Sequence, residues 1–227
     1  MSIINDRISK IHNDIIAACQ EFRRNPQEIK ILAVSKYHPS ELVVNARHAG
    51  QLAFGENYVQ EAIPKIVSTK AYNLEWHFIG HIQSNKTRAI AEHFDWVHTV
   101  ASAKVANRLN QQAAYREPIN VCIEVNVDLE ENKSGVLEAQ LLPLAEHIQS
   151  LKNLRLRGLM AIPKLRSSFN QQRQPYAKCR ELLSRLQLHF GKKIDTLSMG
   201  MSNDFQAAIA EGATIIRIGT AIFGPRE

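Results

Sequence analysis

Short apolar, β-branched runs alternate with helical stretches eight times in 227 residues, and no other feature restricts the fold of this chain as tightly. The runs are 29–36, 52–57, 75–80, 96–100, 119–127, 154–162, 196–200 and 214–223. Helices are expected between them at 39–50, 58–68, 84–94, 102–116, 138–150, 175–190 and 203–212, with none after the last run. Neighbouring parallel strands cannot be joined by a tight turn; they need a crossover, and a helix is the usual one. Eight such units with no evident switch point predict a closed α/β architecture, the (β/α)8 TIM barrel, for which roughly 200 residues suffice. The runner-up is an open doubly wound sheet, which the same alternation permits. Ahead of the first strand, Ile4, Ile8, Ile11, Ile15 and Ala18 recur at helical spacing and predict an extra N-terminal helix over 3–22. With every segment used, one domain spanning 1–227 is expected, with an open barrel mouth unless another subunit covers it.

Composition narrows the setting. Apolar residues at 44% and charged residues at 22% describe an ordinary soluble domain. No apolar run reaches the ~18 residues of a membrane span, and the N-terminus lacks the features of a secretory signal, so a cytoplasmic protein is expected. Cys19, Cys122 and Cys179 are odd in number and far apart, which suggests neither disulfides nor a zinc site. His77 and His81 straddle a strand end, the wrong geometry for a paired metal site, and no metal is expected. The net charge of +6 is scattered and lacks aromatic interleaving, so it suits a solvated surface and one small anion better than nucleic acid.

Chemistry in such barrels gathers where strands end. Strand one ends at Lys36, strand two at Asn57, strand three near His77 and Gly80, and strand five at Asn126. Strand seven runs into Ser198-Met199-Gly200-Met201-Ser202, and strand eight carries Arg217, Gly219 and Thr220. Lys36 shares a strand face with Leu32 and Val34, which points it at the barrel mouth. Desolvation there lowers an ammonium's pKa and yields an amine that attacks carbonyls; the bland alternative is a lysine reaching out to water. Gly200 and Gly219, with the Ser202 and Thr220 hydroxyls, suit a phosphate loop, but they also suit turns and close packing. Arg217, flanked by Ile216 and Ile218 of opposite facing, is expected inside the barrel. Its partner is either a ligand heteroatom or a carboxylate such as Glu124 or Asp204.

LAVSK (32–36), FGENYVQE (54–61), WHFIGHIQSNK (76–86), EVNVDLEENKSG (124–135), RGLMAI (157–162) and LSMGMSNDFQAAIAEGATIIRIGTAIFG (197–224) occur in this order. Together they closely resemble the pyridoxal phosphate homeostasis protein family, relatives of the alanine racemase barrel domain. The resemblance implies a fold-type III barrel that carries pyridoxal 5′-phosphate as an imine on Lys36. It implies Asn57 beside the cofactor ring, Arg217 facing the pyridine nitrogen, and Ser202, Gly219, Thr220 and the backbone around Met201 holding the phosphate. His77, Ser198 and Gly200 are counted with this cofactor-binding set, and no residue is assigned a catalytic role. The implied function is vitamin B6 homeostasis by a non-catalytic carrier or regulator, with amino-acid racemase as the alternative. Cofactor-dependent apo-enzymes are the expected recipients, and the chain is expected to be a monomer or weak homodimer. Two stretches depart from the family pattern: KYHP after the lysine and TVAS (99–102) after strand four.

Overall fold

The computed structural model describes residues 3–131 and 133–225; residues 1, 2, 226 and 227 of the expected domain, and Asn132 of the ENKSG segment, lie outside the described residues. The strands are β1 (Lys30–Val34), β2 (Ala53–Glu56), β3 (Glu75–Phe78), β4 (Trp96–Val100), β5 (Ile119–Glu124), β6 (Leu154–Met160), β7 (Thr196–Ser198) and β8 (Ile215–Ile218). They pair in parallel and in sequence order, and β8 returns to β1, which closes the barrel. The open-sheet alternative is thereby excluded. The helices are α1 (Ile3–Glu21), α2 (Ser40–His48), α3 (Val59–Ser68), α4 (Thr87–His93), α5 (Ala103–Gln112), α6 (Glu138–Gln149), α7 (Phe169–Phe190), α8 (Phe205–Ala210) and α9 (Thr220–Phe223).

Strand alternation divides the core in two. Outward-facing residues such as Ala33, Phe54, Val97 and Ile216 pack under the helices in one large cluster, which also receives Ile4, Ile8, Ile11 and Ile15 of α1. Leu32, Val34, Ala53, Ile79, Trp96, Cys122, Met160 and Ile215 form a smaller cluster of their own. The buried polar side chains include His77, His98, Ser198 and Arg217. No helix among the described residues is long and apolar enough to cross a membrane.

Two boundaries differ from expectation. The helix after β6 starts at Phe169, not at Pro175, because Ser168 caps it by accepting a hydrogen bond from the Gln171 N–H. Proline is favoured in a first turn, but here it lies inside the helix. The last run is also not strand to Phe223. β8 stops at Ile218, and Thr220–Phe223 forms a helical turn that buries Ile222 and Phe223. A helix therefore follows the eighth strand as well.

Candidate functional site

The β1–β2 corner presents Lys36 at the C-terminal mouth. Ser35 N–H donates to the Gly55 carbonyl at 3.1 Å, so Lys36 leaves the sheet beside Glu56 and Asn57, and it is half-buried. The next residue, Tyr37, has φ +65°, a left-handed conformation costly for a residue with a side chain. A buried ion cluster holds this turn from beneath. Lys65 of α3 donates to the Ser35 carbonyl at 2.8 Å, to Glu56 Oε1 at 2.8 Å and to Glu61 Oε1 at 2.6 Å. Ser35 Oγ donates to the same Glu56 oxygen at 2.7 Å, and the Tyr37 N–H donates to the Glu61 carboxylate. The residues on either side of Lys36 are thus both tied to one lysine–glutamate network. Lys65 and Glu56 are buried, and burial pushes the Glu56 carboxyl up against the pull of Lys65.

Across β1 lies the β7–β8 corner. Arg217 is buried, as its alternation with Ile216 and Ile218 predicted. It makes no salt bridge to Glu124 or Asp204; instead it donates to the Ser198 carbonyl at 2.6 Å, to Ser198 Oγ at 3.0 Å and to the Ala161 carbonyl at 3.0 Å. Its Nε makes none of these bonds, which leaves donor capacity for a ligand. Gly200 takes φ +93°, and a Cβ there would lie 2.6 Å from that of Ala208, so this glycine serves the turn and the packing of α8. The Met201 N–H is engaged by Asp204 Oδ1 at 2.7 Å. Ser202 is half-buried beside it, while Gly219 abuts the Val34 carbonyl and precedes the exposed Thr220. The β1–β8 register sets Leu32 against Arg217 and Ala33 against Ile218, so Gly219 and Thr220 flank the strand end that leads to Lys36.

His77 lies lower than its place in the sequence suggested. It is fully buried between Glu75 and His98, below the mouth, and Ser198 sits with it on the polar interior line. His81 is exposed and faces Ser134, so the two histidines do not converge. Asn57 is half-buried, and its Oδ1 is a buried acceptor with no protein partner among the described residues. Tyr58 at the rim pairs its hydroxyl with that of Tyr37 at 2.8 Å.

Glu124 was weighed in the sequence only as an ion-pair partner, and the structure gives it a different setting. It ends β5, on the far side of an eight-stranded ring from β1, and lines a cavity of about 270 Å³ with Asn126, Asp128 and Ile162. Only 9% exposed, its side chain makes no hydrogen bond among the described residues, and burial raises its pKa to about 7 despite the attraction of Arg217. The departures from the family pattern find local roles: Thr99 Oγ1 donates to the Gly80 carbonyl, and Ser102 caps α5.

A lysine at the end of the first strand and hydroxyl- and glycine-bearing loops after the last two define an alanine-racemase-type barrel, and residues 13–227 match the model of the alanine racemase N-terminal domain family. Within it, the chain is 51% identical over 228 residues to the pyridoxal phosphate homeostasis protein of Pseudomonas aeruginosa, covering all of this chain and 97% of that one. It is 49% identical to that of Haemophilus influenzae, covering 99% of this chain and 96% of the relative. The PLP-bound structure of PipY from Synechococcus elongatus superposes with TM-score 0.86 at 36% identity, covering 97% of this chain and all of PipY. The chain belongs to the pyridoxal phosphate homeostasis protein family.

Proposed function

We propose that this chain binds pyridoxal 5′-phosphate (PLP) at the barrel mouth, as an imine on Lys36, and serves PLP homeostasis as a carrier or regulator in the cytoplasm, as one barrel domain over 1–227. The observation that carries this reading is the mouth itself: a half-buried lysine just past β1 whose chain neighbours are clamped, a buried acceptor on Asn57 with no partner among the described residues, and an arginine whose donors are not spent on a carboxylate. These groups fit an aldehyde, a ring hydroxyl and a ring nitrogen. Ser202, Gly219 and Thr220 would hold the phosphate; because Asp204 already engages the Met201 N–H, that amide would contribute only after exchanging partners. The family membership and the PLP-bound relative support the cofactor's identity.

When bound, the cofactor supplies an electron sink for amino-acid chemistry. Arg217 would weaken that sink, because a cation beside the pyridine nitrogen disfavours its protonation. Apo-enzymes that use the cofactor are the proposed recipients, and a monomer or weak homodimer is the proposed state. Loading the protein should produce the long-wavelength absorption of an imine, and Lys36→Ala should abolish it. An unchanged band in that variant would refute the assignment.

Racemisation is the second reading, and Glu124 is the specific observation in its favour. A buried carboxyl near neutral pKa, across the mouth from Lys36, can hold or release a proton. Incubating the loaded protein with L-alanine or L-serine in D₂O separates the two readings. Carrier function predicts Cα exchange no faster than with free cofactor. Faster exchange that Glu124→Gln removes would establish the racemase reading.

A further inference from the structure

Five side chains that the proposed cofactor contact does not use, Lys30, Glu75, His77, His98 and Ser198, form a continuous line through the barrel that ends on Arg217. From the N-terminal end, Lys30 Nζ donates to Glu75 Oε1 at 2.6 Å, and the same oxygen lies 2.6 Å from His77 Nε2. His77 Nδ1 is 2.8 Å from His98 Nε2, and His98 Nδ1 is 2.8 Å from Ser198 Oγ, which accepts from Arg217 at 3.0 Å. His77, His98 and Ser198 are each 0% exposed. Lys30, at the other end, borders a cavity of about 700 Å³ on the N-terminal face.

We infer that Glu75 fixes the ring tautomers of His77 and His98 and, through Ser198, sets the orientation of Arg217 at the opposite end of the barrel. The reasoning is one of donor counting. A carboxylate only accepts, so His77 carries its hydrogen on Nε2 and donates to Glu75. A neutral His77 then accepts at Nδ1, so His98 carries its hydrogen on Nε2 and donates to it. His98 Nδ1 is left to accept, and Ser198 Oγ, which accepts from Arg217, turns its own hydrogen toward it. The carboxylate sets the direction of the line, the arginine is compatible with it, and neither ring can turn over alone. Both rings must also be neutral. Glu75, Asp95, Lys30 and His98 face His77; His77, Arg217, Lys30 and Ser198 face His98. At His77 burial outweighs the attraction of Glu75 and Asp95, and at His98 burial acts together with the neighbouring His77, Arg217 and Lys30, so both imidazoles lie below their ordinary range. The indole of Trp96 stacks on His77 at 5.3 Å and 7° and limits ring rotation.

His77, His98 and Ser198 are therefore positioning residues for Arg217. Their relevance to the cofactor rests on the proposed role of Arg217, but the line itself is testable without ligand. Nitrogen-15 NMR of the full-length, cofactor-free protein at pH 7.5 should show both buried rings neutral, with hydrogen on Nε2. In Glu75→Gln the Lys30 ammonium attracts the glutamine carbonyl and turns the amide NH₂ toward His77, so at least one ring should shift its hydrogen to Nδ1. In His98→Phe, loss of one neutral hydrogen bond should speed exchange of the Arg217 guanidinium protons about tenfold. An imidazolium or an Nδ1-protonated ring in the unmodified protein, or Arg217 exchange unchanged in a folded His98→Phe, overturns the inference. A loaded His98→Phe should keep Lys36 labelling by borohydride and change only the pH profile of the absorption band. Failure of labelling in the unmodified protein would count against the cofactor reading and leave the NMR result standing.

Discussion

The two corners of the barrel mouth are fixed by opposite chemistries. The β1–β2 corner, which presents Lys36, rests on charge: one buried lysine is shared by two glutamates and a peptide carbonyl, and a serine hydroxyl donates to one of the glutamates. The β7–β8 corner, which presents Arg217, rests on neutral acceptors: two carbonyl oxygens, a hydroxyl and two uncharged imidazoles. A buried charge cluster is strong but depends on every member, because a lone charge left behind lacks solvent. A neutral chain is weaker per member, and its order survives as long as no ring takes up a proton. The proposed roles call for the same division: an amine that is to form an imine needs a rigid base, and an arginine that is to meet a ring nitrogen needs an aim.

The contrast breaks most visibly at Lys65. Lys65→Met removes the shared cation and leaves Glu56 buried, at a cost of about 3–5 kcal/mol near neutral pH. Burial has already raised the Glu56 pKa, so the carboxyl takes a proton in acid and the loss should shrink there. Urea denaturation at pH 5 and pH 8 measures the difference; equal losses at both would mean that charge does not govern this corner.

Glu124→Gln should act with the opposite sign. The folded-state pKa is raised from 4.5 to about 7, so the carboxyl's contribution is full below pH 4.5 and is lost as pH rises through 7. The variant should therefore match the parent at pH 4 and exceed it at pH 8, by at most roughly 3 kcal/mol. Thermal melts at the two pH values test this.

A smaller loss, about 1–3 kcal/mol, is expected for His98→Phe, which removes the partner of His77 Nδ1 and of the Ser198 hydroxyl hydrogen. The two histidines are held below 6.5 in the folded state, so unfolding releases groups that bind protons; the parent should lose stability as pH falls below 6.5. His98→Phe should flatten that acid slope, and a slope equal to the parent's would exclude His98 as its source. Least affected should be Tyr58→Phe, which removes an exposed rim contact to Tyr37 and should change stability by no more than about 0.5 kcal/mol.

Most of this architecture is written in local pattern. The strand–helix rhythm gave the barrel, and the isoleucine spacing gave α1, because both depend on periodicity within one element. Arg217's burial followed from alternation alone. The end of β8 did not, since TAIFG is as apolar as a strand and only its packing beside α1 makes it helical. Pro175 misled because proline favours a first turn, yet Ser168 supplies a better cap further upstream. The ion cluster left a faint trace in Glu61 and Lys65 at helical spacing, but Glu56 and Ser35 join it only through strand pairing. His98 left none: a histidine in the middle of β4 meets Ser198, a hundred residues away, only when the barrel closes. In the sequence Glu124 stood out only as an ion-pair candidate; its burial beside a cavity is a three-dimensional fact.

The central claim is that one particular amine holds the cofactor. Reducing the loaded protein with borohydride, digesting it and sequencing the fluorescent peptide by mass spectrometry reads that amine directly. The pyridoxyl group is expected on Lys36, within the segment that follows LAVS, and on no other residue in stoichiometric amount. A stoichiometric label on any other lysine, or none at all in protein that retains the cofactor, would contradict it.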